Sequence, residues 1–92
     1  MKKIAIIGAG MIGRAWAIVF AKKFKQVVLY DTDHKAIENS ILQLSITTQE
    51  LYKLGLLNDE PNIFIKKISV TNNLKKAIEN VDYIQECGPE NL

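Results

Sequence analysis

Hydrophobic positions in this chain fall into short unbroken runs separated by amphipathic stretches, and that alternation predicts the elements. Residues 3–7 carry the run Ile-Ala-Ile-Ile, as expected of a strand buried on both faces of a parallel sheet. Residues 11–24 read as a helix. Ala15, Trp16, Ala17, Ile18, Val19, Phe20 and Ala21 leave it little polar surface, so heavy burial is expected, with Trp16 and Phe20 in the core. A second strand, 26–30, closes at Asp31. Asp33 is then the expected N-cap of a long helix running to about Leu54. Ile37, Ile41, Leu44 and Leu51 keep helical spacing along it, and Gly55 supplies its stop. Residues 58–62, with Pro61, read as a turn. A short strand at 67–70, a helix at 74–80 and a strand at 81–87 complete the pattern before Gly88-Pro89.

The turn after the first strand carries the most specific motif. Gly8-x-Gly10-x-x-Gly13 follows the strand directly, and Asp31 ends the second strand eighteen residues after Gly13. Strand, glycine turn, helix, strand and terminal acid together make the dinucleotide-binding fingerprint in its required context. Gly8 lets the chain leave the strand sharply. Gly10 puts no side chain between the backbone and a pyrophosphate, and Gly13 lets the helix pack closely on the sheet. The N–H groups of Met11 and Ile12, at the positive end of the helix, are expected to meet the phosphates. Asp31 is placed to accept hydrogen bonds from both hydroxyls of the adenine ribose and to repel a 2′-phosphate. Two unit charges about 4 Å apart interact by roughly 4 kcal/mol at an intermediate dielectric. No arginine follows to reverse that repulsion, so NAD is expected over NADP. The competing reading makes Asp31 only a turn cap.

The β-α-β-α-β-α-β alternation requires a parallel sheet with right-handed crossovers. The fold class is therefore α/β, a Rossmann-type parallel sheet with flanking helices, with expected strand order 3-2-1-4. The fourth strand would then form an open apolar edge, and Pro89 to Leu92 resemble the first turn of a further helix. The expectation is a fold truncated after its fourth strand, with residues 1–92 a partial nucleotide-binding domain.

Composition narrows the function classes. Ninety-two residues make one small domain, and a net charge of +2 spread over scattered lysines gives no case for nucleic acid. One cysteine, Cys87, excludes an internal disulfide and a multi-cysteine metal site. No apolar stretch reaches membrane-spanning length, so no membrane partner and a cytoplasmic setting are expected. Arg14 could approach a phosphate or lie solvated on the surface. His34, the sole histidine, follows the second strand near the expected adenosine end, far from a reacting nicotinamide. Cys87 reads as a buried structural thiol. Glu86 and Glu90, beyond the end of strand four, are either ligand groups or solvated loop acids. No residue is assigned as catalytic and none as a metal ligand.

Three segments, in order, carry a family resemblance: Gly8 to Ala17, Leu29-Tyr30-Asp31, and Ile84-Gln85-Glu86-Cys87-Gly88-Pro89-Glu90. Along its whole length the chain resembles the 3-hydroxyacyl-CoA dehydrogenase family. The Gly-Arg-x-Trp-Ala and Ile-Gln-Glu-Cys-x-Pro-Glu stretches most resemble its lambda-crystallin branch, similar to L-gulonate 3-dehydrogenase. A long helix after Asp31 is typical of that family's nucleotide domain. The resemblance implies NAD as cofactor, with Met11, Ile12, Asp31 and Glu90 among its contacts. It also implies oxidation of a secondary alcohol in a 3-hydroxyacid or 3-hydroxyacyl-CoA. The family's histidine–glutamate pair, with its assisting serine and asparagine, would lie beyond Leu92. So would its helical C-terminal domain, which supplies the contact of a homodimer. The chain is therefore expected to be inactive by itself. Non-enzymatic nucleotide-sensing modules and FAD-binding domains share the glycine fingerprint, but neither explains the Gln-Glu-Cys-x-Pro-Glu segment.

Overall fold

The computed structural model describes residues 2–87. β1 (Lys3–Ile7), β2 (Gln26–Tyr30), β3 (Ile68–Thr71) and β4 (Tyr83–Glu86) pair in parallel, in the order β3-β2-β1-β4. This is the expected Rossmann-type arrangement. In the register, Ile4 lies beside Val27, Ile6 beside Leu29, and Val27 beside Ile68. Paired residues share a face, so these five side chains point the same way. They meet Ala17 and Ala21 of α1 (Met11–Ala21), Leu44 of α2 (His34–Lys53), Leu57, and Phe64 of α3 (Pro61–Phe64) in the main core. Ile4, Ile6 and Leu29 are fully buried, and each contributes about 1.5–3 kcal/mol.

Handedness places the helices. The chain steps from β1 to β2 to β3 in one direction, so right-handed crossovers put α1 and α2 on the same face. The return from β3 past β1 to β4 reverses that direction and puts α4 (Leu74–Ile78) on the opposite face. There its Ala77 is buried, as are the sheet residues Ala5 and Val28 that alternate with the main-core set. β4 is an edge of the described sheet, with Tyr83 and Ile84 nearly half exposed.

Boundaries follow from caps. The Asp33 side chain accepts from the Lys35 N–H and starts α2 as expected. At its end Gly55 has φ +76°, with Leu56 N–H donating to the Leu51 carbonyl at 2.9 Å and Gly55 N–H to Tyr52 at 3.0 Å. These two bonds form a Schellman stop. Asn73 caps α4 through the Lys76 N–H, and Asn80 at φ 57° ends that segment. The expected turn at 58–62 is shorter than the sequence suggested, because Pro61 occupies the first position of α3, where its missing N–H costs nothing. A 3₁₀ turn, Ile65–Lys67, leads from α3 into β3. The first helix also stops earlier than expected: Lys22 is its C-cap, and Phe24 N–H folds back to the Phe20 carbonyl at 2.7 Å.

The heavy burial expected of α1 is not found. Its buried stripe is Gly13, Ala17 and Ala21, while Met11, Ile12, Trp16 and Val19 are exposed. The helix lies so close to the sheet that only small residues fit beneath it, which leaves the large ones on its flanks and outer side. Trp16, 39% exposed, stacks on Phe20 at 5.2 Å, and Phe20 meets Phe24 edge-on at 5.7 Å. No helix among the described residues is long and apolar enough to cross a membrane.

Candidate dinucleotide site

The glycine turn sits where the sheet order reverses, between the carboxyl ends of β2 and β4. Gly8 N–H donates to the Tyr30 carbonyl at 2.7 Å, and Cys87 N–H donates to the Ile7 carbonyl at 2.7 Å. Crevices at such reversal points are where open α/β sheets take ligands. Gly8 is required twice over. Its φ is +113°, and a Cβ there would overlap the carbonyl oxygen of Cys87. Gly13 is required for a different reason: its Cβ would overlap the Gly8 carbonyl oxygen and touch Leu29 Cδ1 at 3.5 Å. The helix therefore begins in direct contact with the strand end.

Gly10 is the N-cap of α1, in extended conformation, and its carbonyl accepts the first helical bond from Arg14 N–H at 2.9 Å. It has no side chain to cap the opening turn, and that turn holds no acid. α2 and α4, by contrast, are capped by Asp33 and Asn73. The backbone N–H groups at the positive end of α1 open directly beside the glycine turn, where a helix N-terminus attracts an anion. Met11, at 69%, and Ile12 are exposed at this mouth.

Asp31 completes the arrangement. One carboxylate oxygen accepts Ala9 N–H at 2.9 Å and the other accepts Asp33 N–H at 2.9 Å. The two readings of Asp31 are therefore compatible: it caps the turn into α2, and each oxygen keeps a further lone pair for a hydroxyl. The half-buried carboxylate is also tied directly to the glycine turn. A glycine cradle, the helix start that follows it and a fixed carboxylate beside them fit a pyrophosphate joined to a diol.

Other candidates go elsewhere. Arg14 is half-buried, and its Nη1 donates to the Ala9 carbonyl at 3.2 Å. His34 is exposed at the start of α2. Glu86 is exposed at the end of β4. Cys87 is half-buried, and that burial raises the pKa of its thiol. Glu90 lies outside the described residues. Sequence reading missed Ser40, fully buried on α2, whose Oγ lies 2.8 Å from the Ala9 carbonyl oxygen. The available signal was its position three residues after Ile37 and four before Leu44, on the buried stripe.

The comparisons agree with this geometry. The family model described as 3-hydroxyacyl-CoA dehydrogenase, NAD binding domain, matches residues 3–92. A lambda-crystallin homolog of Rattus norvegicus is 37% identical over 97% of this chain and 28% of its own length. An L-carnitine dehydrogenase of Oceanobacillus iheyensis is 30% identical over 98% of this chain and 28% of its own length. Among solved structures, a 3-hydroxyacyl-CoA dehydrogenase of Archaeoglobus fulgidus superposes with TM-score 0.71 at 32% identity, covering 100% of this chain and 26% of that one. The 3-hydroxybutyryl-CoA dehydrogenase of Escherichia coli gives 0.83 at 26% identity, covering 97% and 19%. The chain thus spans less than a third of the length of these relatives. Fold, glycine turn and family match converge, and the chain belongs to the 3-hydroxyacyl-CoA dehydrogenase family, in its NAD-binding domain, with NAD as cofactor.

Proposed function

We propose that Gly8, Gly10, Met11, Ile12, Gly13 and Asp31 hold NAD. In this reading the pyrophosphate lies on the start of α1 and the adenine ribose on Asp31. The observation that carries the reading is the Asp31 carboxylate, held by Ala9 N–H and Asp33 N–H beside the glycine turn that opens α1. A carboxylate fixed from two sides cannot swing away, so it selects the ribose diol and repels a 2′-phosphate. Glu90 joins the site by family resemblance. When bound, NAD supplies the hydride acceptor. This chain's own residues bind the cofactor, orient it and set its charge preference.

The intact protein would oxidise a secondary alcohol in a 3-hydroxyacid or 3-hydroxyacyl-CoA. Likeness to lambda-crystallin relatives favours the hydroxyacid. It would act as a homodimer, and the lone free thiol suits a reducing, cytoplasmic setting. Residues 1–92 alone would bind NAD without turning over substrate. Isothermal titration of the wild-type protein with NAD and NADP tests the assignment. Binding of NAD with at least tenfold weaker NADP is expected, and equal affinities or no binding would refute it.

A further inference from the structure

Ser40 is a polar residue with no solvent exposure, placed on the stripe of α2 that otherwise packs into the core. Burying a hydroxyl is costly unless it is bonded, and alanine would be the better helix former at the same place. Its partners explain the burial. The hydroxyl lies 2.8 Å from the Ala9 carbonyl oxygen and 2.6 Å from the carbonyl of Ala36, one turn back on its own helix. Ala9 is the residue between the first two glycines of the turn, and it too is fully buried.

The Ala9 residue is therefore held from both sides. Its N–H donates to Asp31, and its carbonyl accepts from Arg14 and Ser40. In a planar trans peptide the carbonyl and the next N–H point in opposite directions. Holding the Ala9 oxygen against α2 turns the Gly10 N–H away from α2, towards the mouth of the site. We propose that Ser40 is a positioning residue for the cofactor: through the Ala9 carbonyl, it sets the orientation of the Ala9–Gly10 peptide that meets the pyrophosphate. The proposal rests on the assignment of the glycine turn to NAD.

The rival is a purely local role. A serine hydroxyl has one proton, and a bond made only to Ala36 would matter to α2 and not to the turn. Two ligands separate these roles, because adenosine reaches Asp31 but carries no phosphate. In the full-length protein, Ser40→Ala, Ser40→Cys and wild type are titrated with NAD and with adenosine, and their thermal melts are recorded. Ser40→Ala should weaken NAD about tenfold, equivalent to roughly 1.4 kcal/mol. Adenosine should change by less than about twofold, because Asp33 N–H still holds Asp31. Ser40→Cys, of similar shape but a weaker donor, should fall between. Unchanged NAD affinity in Ser40→Ala would overturn the proposal. So would equal losses for NAD and adenosine, which a loosened α2 produces. Wild-type protein that fails to bind NAD would instead refute the site assignment from which the proposal starts.

Discussion

Replacing Gly13 with alanine puts the close approach of α1 to the sheet under direct test. By helix propensity alone, the change should stabilise the first turn of α1 by up to about 1 kcal/mol. The structure predicts the opposite sign. The added methyl would overlap the Gly8 carbonyl oxygen, a backbone atom that cannot rotate aside as a side chain could. Nor can the strand end yield freely. Gly8 N–H is bonded to Tyr30 at 2.7 Å and Cys87 N–H to Ile7 at 2.7 Å, each bond worth about 1 kcal/mol net. Overpacking a rigid site costs about 1–3 kcal/mol, and this collision between backbones belongs at the upper end. Subtracting the propensity gain leaves a net loss of about 2 kcal/mol. The relieved geometry also moves the start of α1, so NAD affinity should fall about tenfold or more. Gly55→Ala is the control. That position, unlike Gly13, has a positive φ, but its Cβ would meet nothing within 4 Å, so a loss of about 1 kcal/mol with NAD binding intact is expected. Urea melts of the full-length variants read the stabilities, and calorimetric titration reads the binding. A Gly13→Ala protein as stable as wild type, with NAD affinity intact, would refute the reasoning.

Three further outcomes are expected. Asp31→Ala should narrow the preference for NAD over NADP by about tenfold or more, because the charge that repels the 2′-phosphate is gone. It should also weaken NAD, since the ribose diol and the Ala9 N–H lose their acceptor; titrations in which both affinities stay at wild-type values would remove Asp31 from the site. Asp82 accepts hydrogen bonds from the Lys2 and Lys3 N–H groups, which lower its pKa below the usual carboxylate range, aided by the nearby N-terminal charge. A lowered folded-state pKa contributes stability above about pH 4 that is lost as the pH falls through the folded value. Melting temperatures of wild type and Asp82→Asn should therefore differ near neutrality and converge in acid, and parallel profiles would contradict this. Cys87, half-buried with its thiol pKa raised, should react with a thiol reagent at pH 8 several times more slowly in the native protein than in urea. Equal rates would show the thiol to be open.

Local chemistry is legible in the amino-acid order because it acts within a few residues. The apolar runs of β1 and β2, the Asp33 cap and the Gly55 stop depend only on neighbours along the chain, and each lies where expected. Strand order follows as well, because the glycine fingerprint marks a dinucleotide-binding half, whose strands take the order 3-2-1-4. Even the requirement for glycine at positions 8 and 13 can be read from their spacing. The pattern misleads where distance in space outweighs distance in sequence. Hydrophobicity places Trp16 and Val19 inside, but the contact between Gly13 and Gly8 brings α1 so near the sheet that only Ala17 and Ala21 fit below. Pro61 signals a turn, yet the same missing N–H suits the first position of α3.

Periodicity, caps and crossover hand are local or topological rules. Through them the order of residues alone specifies the four strands, the helices that connect β1 to β2 and lead out of β2 and β3, and the turn that offers its backbone to a dinucleotide. How that turn is held was left to packing in three dimensions. The Ala9 residue is fastened by Asp31, Arg14 and Ser40, residues that lie 22, 5 and 31 positions away along the chain. No spacing rule connects them. They meet because β2 runs beside β1 and α2 packs behind the turn, and a buried carbonyl takes whichever donors the packed helices bring to it.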